Sequence, residues 1–246
     1  MFSKYIIRTL AIFGMTFTAL SSHAADPLPM GVSGSGEAGY NSSTGNTETT
    51  SVFGAVKLNY GHEDHEFKSA LEVNYKSENG VQTQERYLLG LQRNQFYDVE
   101  RSYYSFIAGQ FENSRFEEID LDASLSLGLG KRLYQTEQTN FTGEIGLGYQ
   151  STTFTKAAGG DTVNQAIARL KLDFNHKFNE QVTFSQDLIV LAGNERTKLE
   201  TNTGIKIKVA DNMNVKAGYK YRHNNNPPTG IKEADSQTTL TLIYDF

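Results

Sequence analysis

The sequence contains no cysteine, and this absence removes several classes of function. Without thiolate ligands the chain cannot form a zinc finger or an iron–sulfur cluster, and it has no thiol nucleophile. Export from the cytoplasm would permit disulfides, so an exported form of this chain would be stable without them. The net charge of -5 and the lack of a basic run argue against a nucleic-acid partner.

The sequence also lacks an apolar run long enough to span a bilayer as a helix. The run Thr9–Leu20 is too short for that, since a spanning helix needs about 20 apolar residues. Lys4 and Arg8 give the chain a positive start, and Ser22-His23-Ala24 places small residues where a signal peptidase reads them. This order is typical of a secretory signal rather than of an inner-membrane anchor, so we predict that residues 1–24 form a signal peptide cleaved after Ala24.

The remaining residues, 25–246, are predicted to form one domain whose apolar residues alternate with polar ones. A period of two indicates a strand, because a helix of period 3.6 would mix the two sets. The clearest run is about as long as a tilted bilayer-spanning strand, which has roughly 9–11 residues. Its apolar face comprises Ile119, Leu121, Ala123, Leu125, Leu127 and Leu129, and its polar face comprises Asp120, Asp122, Ser124, Ser126, Gly128 and Gly130.

The same alternation recurs through the domain and predicts its fold class. We expect an all-β, transmembrane, antiparallel up-and-down β-barrel of about 12 strands, with short turns alternating with longer polar loops. A sheet in hydrocarbon must close, because every backbone N–H and C=O needs a partner. A soluble β-sandwich is the rival interpretation, but it would not need such long strands. The facing of segments 31–41, 101–112 and 182–193 stays ambiguous, because their patterns are weak or apolar on both faces.

The last strand, Gln237–Phe246, carries the most specific local pattern. Phe246, Tyr244, Leu242 and Leu240 share one face. This ending resembles the terminal signal of outer-membrane proteins, which the barrel assembly machinery is thought to recognise. The resemblance implies location in the outer membrane, with its lipids and that machinery as partners, and assigns the signal to Tyr244 and Phe246.

A narrower resemblance covers most of the domain. The segments Gly34–Asn41, Ser43–Thr50, Glu85–Tyr87, Phe184–Leu188 and Tyr219–Phe246, the last including Asn226-Pro-Pro228, resemble the YdiY-like salt-induced outer-membrane proteins. That family is largely a domain of unknown function. The resemblance therefore implies a fold, a location and a link between expression and salt, but no reaction.

Patterns that could indicate an enzyme or a metal site are weak. Ser185 with His176 is a candidate for hydrolysis, but this pair flanks a predicted periplasmic turn, whereas catalytic serines of this kind sit at the outer rim. His223 with Asp235, near an outer loop, is a second candidate, and we interpret these two as solvated loop residues. The run His62–His65 has the spacing of a tight turn and is interpreted as a solvated turn. We therefore assign no catalytic residue, no metal and no cofactor.

The charged residues of the polar faces give the main functional hypothesis. They are expected to point inward, because a charge on the lipid face is unfavourable by about 2–4 kcal/mol at mid-depth. The predicted lumen-lining residues are Asp120, Asp122, Glu144, Arg169, Lys206, Lys208, Lys216, Lys220 and Arg222.

Two interpretations of these charges stay open. Separate acidic and basic sectors would set a transverse field in a narrow pore for ions or small polar solutes, and charged rings select ions in this way. Alternatively, opposite charges would pair, fill the interior and leave a structural or stress-response envelope barrel without transport. An outer-membrane hydrolase is a distant third alternative.

Overall fold

Twelve strands close into a single antiparallel barrel in the computed structural model, which describes residues 30–44 and 48–246. The predicted signal peptide, residues 1–24, lies outside the described residues. Each strand pairs with its neighbours along the chain, and β1 pairs with β12. The strands are β1 (Gly31–Ser43), β2 (Thr49–Gly61), β3 (His65–Glu78), β4 (Val81–Phe96), β5 (Tyr103–Ser114), β6 (Ile119–Gln135), β7 (Thr139–Phe154), β8 (Thr162–Lys177), β9 (Val182–Gly193), β10 (Thr197–Ala210), β11 (Met213–Asn224) and β12 (Ala234–Asp245).

The barrel is apolar outside and polar inside, which confirms the predicted transmembrane class. On β6 the outward residues Leu125, Leu127 and Leu129 are 58%, 67% and 63% exposed. The inward residues Asp122 and Ser126 of the same strand are buried. This inversion of the usual globular pattern is typical of a barrel whose outer face meets lipid. Within the described residues, no helix has the length and apolar character to cross a bilayer.

The connections alternate between the two ends, but the predicted contrast in length is partial, because the loop-end connection 79–80 is shorter than the turn-end connection 97–102. The end that holds the start of β1 and the end of β12 is called the turn end, and the opposite end is called the loop end. Turn-end connections span residues 62–64, 97–102, 136–138, 178–181 and 211–212. Loop-end connections span residues 44–48 (partly outside the described residues), 79–80, 115–118, 155–161, 194–196 and 225–233, and two of them contain a single 3₁₀ turn, Arg115–Glu117 and Lys156–Ala158.

The barrel closes where the terminal strand β12 meets the glycine-rich first strand β1. The ladder runs from Ser35 opposite Asp245 to Ala38 opposite Leu242. Phe246 extends it: Gly34 N–H donates to Phe246 O at 2.7 Å, and Phe246 N–H donates to Gly34 O at 2.9 Å. A Cβ at Gly34 would lie 2.8 Å from the Phe246 ring. Gly34 therefore allows the terminal ring to lie against β1.

The structure resolves the ambiguous facing of β5. Tyr104 and Phe106 point inward and are 3% exposed, whereas Tyr103 and Ile107 point outward and are exposed. The sequence could not distinguish these faces, because large apolar residues occupy both parities of the strand.

Glycines on β6 make room for these inward rings. A Cβ at Gly130 would lie 2.2 Å from the Tyr104 ring. A Cβ at Gly128 would lie 2.8 Å from the Phe106 ring and 2.1 Å from the backbone oxygen of Ile145. A strand glycine often marks such a close approach.

We predict that Gly130→Ala and Gly128→Ala both destabilise the barrel, but that only the first is rescued by trimming its ring. Tyr104→Ala removes the side chain against Gly130, whereas Phe106→Ala leaves the Ile145 oxygen against Gly128. Urea unfolding of the four single and two double variants in detergent measures the coupling in each pair. Equal coupling in the two pairs would contradict this assignment.

Candidate functional site

The barrel interior is the candidate site, and part of the predicted inward set occupies it. Asp122, Glu144 and Arg169 point inward and are 4%, 4% and 6% exposed. Glu144 and Arg169 form an ion pair, with Arg169 Nη1 2.7 Å from Glu144 Oε2. These three residues are therefore packed into the wall of the interior rather than displayed in open water.

Asp120 does not face the lumen, which corrects the prediction for this residue. A β-bulge falls between Ile119 and Leu121, so the strict alternation of β6 is interrupted there. Ile119 is fully buried, whereas Asp120 is exposed on the same side as the exposed Leu121. A bulge places two residues opposite one on the partner strand and thereby shifts the parity by one.

The predicted basic residues of β10 and β11 face inward, except at the rim. Four of them each approach a carboxylate: Lys206 with Asp245 at 3.3 Å, Lys216 with Glu37 at 3.3 Å, Lys220 with Glu72 at 2.5 Å and Arg222 with Glu117 at 2.7 Å. Lys208 lies near the end of β10, is 45% exposed in its side chain, and has Asp211 of the next turn 3.8 Å away. Lys208 is therefore a rim residue at the turn end.

Arg86 is the centre of a buried network that sequence reasoning did not assign to the site. Its guanidinium contacts Glu72 at 3.0 Å, Glu112 at 2.8 Å and Glu200 at 3.1 Å. Its side chain is only 2% exposed. Because Arg86 lies on β4 and Glu200 on β10, this contact joins walls on opposite sides of the barrel. A five-donor guanidinium suits such multiple pairing better than an ammonium does.

A second set of contacts extends this network towards the loop end. Asp122 Oδ2 lies 2.7 Å from Arg196 Nη2 and 2.7 Å from Lys198 Nζ. Lys198 also contacts Glu112, at 3.0 Å. Arg196 belongs to the loop between β9 and β10, so its side chain enters the barrel interior from the loop end.

These residues together form what we call the charge cluster, in which positive and negative groups are equal in number. Its cations are Arg86, Arg196, Lys198, Lys220 and Arg222, and its anions are Glu72, Glu112, Glu117, Asp122 and Glu200. Removal of one member would leave an uncompensated charge, because buried ions depend on their partners. The cluster fills much of the interior between β3–β6 and β10–β11.

An aromatic cluster, Phe96, Tyr104 and Phe106, fills the same side nearer the turn end. Tyr104 OH donates to Glu144 Oε1 at 2.8 Å, and the Arg169 guanidinium lies 4.6 Å from the centre of the Phe106 ring. A cation over an aromatic face is stabilising, the more so when it is desolvated. The aromatic cluster is thereby joined to the Glu144–Arg169 ion pair, and this side of the lumen is closed.

Empty volume remains on the opposite side of the lumen. A cavity of about 360 Å³, here called the lumen cavity, is lined by residues that include Ser35, Lys57, Asp187, Lys206, Lys216 and Gly218. A vestibule of about 1110 Å³ at the loop end is lined by residues that include Asn41, Ser51, Lys76, Gln84 and Arg222. Phe53, Gln237 and Thr239 line both spaces. The predicted acidic residues Asp122 and Glu144 are not among those lining either space, so they do not face the lysines across open water.

The pair Ser185 and His176, considered for hydrolysis, is not assembled. Ser185 lies opposite Asn175 on the inward face, whereas His176 lies opposite Thr139 and Phe184 on the outward face. His176 Nδ1 is 2.8 Å from Thr139 Oγ1. The serine and the histidine therefore lie on opposite faces of the sheet.

Hydrogen bonds join three side chains of the exposed His62–His65 turn, which the sequence predicted as a simple solvated turn. Asp64 Oδ1 lies 2.9 Å from His62 Nδ1 and 2.6 Å from His65 Nδ1. These hydrogen bonds, together with one from Gln95, hold the pKa of the Asp64 carboxyl well below its usual range. The turn lies outside the spanning strands, at the turn end.

Comparison with known proteins supports the family resemblance. A family model described as "Protein of unknown function, DUF481" matches residues 36–246. The uncharacterized protein YdiY of Escherichia coli (strain K12) is 24% identical over 236 residues, which cover 94% of this chain and 88% of that protein. The resemblance to YdiY-like proteins is thereby confirmed.

Solved structures resemble the barrel in fold alone. The NanC porin matches with a TM-score of 0.52 at 11% identity, over 87% of this chain and 98% of that chain. An outer membrane channel from Pseudomonas putida F1 matches with a TM-score of 0.55 at 10% identity, over 93% of this chain and 100% of that chain. At such identities the shared property is the barrel architecture.

We predict that Arg86→Met lowers the free energy of unfolding by about 3–5 kcal/mol, because three carboxylates lose their common cation. Adding Glu200→Gln to that variant should recover part of the loss. Urea unfolding followed by circular dichroism measures both effects. Arg115→Ala is the control: Arg115 is 69% exposed and 3.8 Å from Glu85, so we expect a change of less than about 1 kcal/mol. Equal effects of the two arginine substitutions would contradict a structural role of the charge cluster.

Proposed function

The chain belongs to the DUF481 family of proteins of unknown function, and we propose that it forms a narrow outer-membrane pore for ions or small polar solutes. The observation that carries this proposal is that Phe53, Gln237 and Thr239 line both the lumen cavity and the vestibule, and we place the junction of the two spaces at these residues. A path along β1, β2 and β12 would then connect the two ends of the barrel while the opposite side stays filled.

The lining of this path favours small polar solutes. Ser35, Ala55 and Gly218 leave space in the wall of the lumen cavity, and Gln237 and Thr239 present polar groups at its junction with the vestibule. Phe53 is the one aromatic ring among the residues that line both spaces. We therefore assign the constriction to Phe53.

Location in the outer membrane follows from the exterior of the barrel and from its last strand. The exposed outward residues are apolar, and such an exterior favours placing the barrel in lipid. Tyr244 and Phe246 are 53% and 55% exposed on the outer surface, with their ring centres 6.5 Å apart. A pair of exposed rings on the last strand is available to the barrel assembly machinery, and we retain these two residues as the assembly signal. The names of the solved relatives, a porin and an outer membrane channel, agree with this location.

The second candidate function is a structural envelope barrel without transport, related to salt or osmotic stress. The charge cluster favours it, because its buried ion pairs occupy interior volume and join opposite walls through Arg86 and Glu200. The two functions share one fold and differ in whether the junction at Phe53 conducts. The hydrolase alternative gains no support from Ser185 and His176, because these residues lie on opposite faces of β9 and β8.

We predict that the purified protein produces single-channel steps in planar bilayers and that residue 53 sets their size. Phe53→Ala should raise the conductance and Phe53→Trp should lower it, because each changes the cross-section of the junction. Leu58→Ala, on the lipid-facing side of the same strand, should leave the conductance unchanged. Absence of steps from the unmodified protein over a range of salt concentrations would favour the structural barrel instead.

We also predict that Lys57 determines ion selectivity more than the other lumen lysines do. Lys57 lines the lumen cavity, and no carboxylate oxygen of the described residues lies within 4.0 Å of its ammonium group. Lys57→Glu should therefore shift the reversal potential in a KCl gradient towards cation selectivity. Lys208→Glu, at the rim, is the matched charge change and should shift it less. Equal shifts in the two variants would show that the path does not pass Lys57.

A further inference from the structure

We propose that the turn between β2 and β3 binds a divalent transition-metal ion, with Zn²⁺ as the ion that fits best, through His62, Asp64 and His65. The spacing of these residues in the sequence gave no reason to assign a metal. The geometry of the folded turn provides that reason, and it does so independently of any pore function.

The backbone first brings the two histidines together. His62 N–H donates to His65 O at 2.8 Å, which closes a four-residue turn and places the two side chains next to each other. Their rings stack with centres 4.6 Å apart and an interplanar angle of 22°.

The ligand atoms of the three side chains then converge on one point. Asp64 Oδ1 lies 2.9 Å from His62 Nδ1 and 2.6 Å from His65 Nδ1, and all three ligand atoms lie within 4.8 Å of one another. Both nitrogens must carry a proton if both contacts are hydrogen bonds, since a carboxylate only accepts. A metal ion would replace these protons and accept the lone pairs of both nitrogens and of the carboxylate.

The required rearrangement is small. Zinc–nitrogen and zinc–oxygen bonds of about 2.0–2.2 Å place tetrahedral ligands roughly 3.3 Å apart. Each nitrogen would therefore move away from Asp64 Oδ1 by less than about 1 Å. The two nitrogens, which lie within 4.8 Å of each other, would approach each other by up to about 1.5 Å. His62 and Asp64 have side chains that are 48% and 60% exposed, so water has access to a fourth ligand position.

Neighbouring strands hold the carboxylate in place. Gln95 Nε2 donates to Asp64 O at 2.9 Å and to Asp64 Oδ2 at 3.3 Å. Phe96 N–H also donates to Asp64 O, at 2.7 Å. His65 meets the edge of the Phe67 ring, with centres 5.5 Å apart and an angle of 82°. Hydrogen bonds and ring contacts of this kind orient metal ligands and raise metal affinity.

The chemistry of the ligand set selects the class of ion. Two imidazole nitrogens and one carboxylate oxygen suit Zn²⁺, Cu²⁺ or Ni²⁺, whereas Ca²⁺ and Mg²⁺ prefer sets made of oxygen alone. Three protein ligands and an open position form an incomplete shell, so we expect exchangeable binding rather than a buried structural zinc.

The test is titration of the folded full-length barrel, free of any polyhistidine tag, with ZnCl₂ in detergent micelles by isothermal titration calorimetry. We expect one Zn²⁺ per chain. His62→Ala and His65→Ala should each weaken binding by at least about tenfold, and Gln95→Ala should weaken it less. X-ray absorption of the zinc-loaded protein should show nitrogen and oxygen neighbours at about 2.0–2.1 Å, including imidazole.

Two variants serve as controls. Glu63→Gln changes an acidic residue of the same turn that is not part of the ligand group, and His223→Ala removes a histidine near the loop end. Both should bind Zn²⁺ as the unmodified protein does, and circular dichroism should show that every variant retains its strands. Absence of stoichiometric heat, or binding that survives both His62→Ala and His65→Ala, would overturn the proposal.

Discussion

Closure of the sheet between β1 and β12 is the constraint on which the other features depend. In hydrocarbon no water can satisfy a strand edge, so every backbone group at this seam needs a protein partner. The register contains four residue pairs, from Ser35–Asp245 to Ala38–Leu242, and the two hydrogen bonds between Gly34 and Phe246 extend it. Closure gives the sheet an inside and an outside, and thereby brings the side chains of one face together in a shared interior.

A closed barrel of twelve strands encloses a large interior volume, and different kinds of side chain occupy different parts of it. On one side, Arg86 and its carboxylate partners replace a hydrophobic core with paired charges, and the rings of Tyr104 and Phe106 occupy space opened by glycines. Along β1, β2 and β12, smaller residues and the ring of Phe53 line the lumen cavity and the vestibule. The aromatic cluster lies away from these two spaces, whereas Glu72 and Lys220 of the charge cluster line the lumen cavity and Arg222 lines the vestibule.

Alternation along single strands predicted the fold and several interior residues, because facing is a local property of a strand. Glu144 and Arg169 lie where that reasoning placed them. Asp120 does not, because an alternating pattern of apolar and polar residues does not reveal a β-bulge. The pairing of Arg86 with Glu200 depends on which distant strands face each other across the barrel. Arg196 enters from a loop, to which no strand pattern applies. The sequence therefore predicted which face of a strand most residues occupy, but not which interior residues form ion pairs with each other.

The lack of cysteine permits the most direct measurement of a divided lumen, which is modification of single introduced cysteines by a small charged thiol reagent. Ala55→Cys and Thr239→Cys would lie on the open side, and Ser126→Cys and Thr152→Cys on the closed side, where the native residues are 4% and 2% exposed. We expect rapid modification of the two open-side cysteines in the folded barrel, and modification of the two closed-side cysteines only after unfolding. Equal modification of the two pairs in the folded barrel would contradict it.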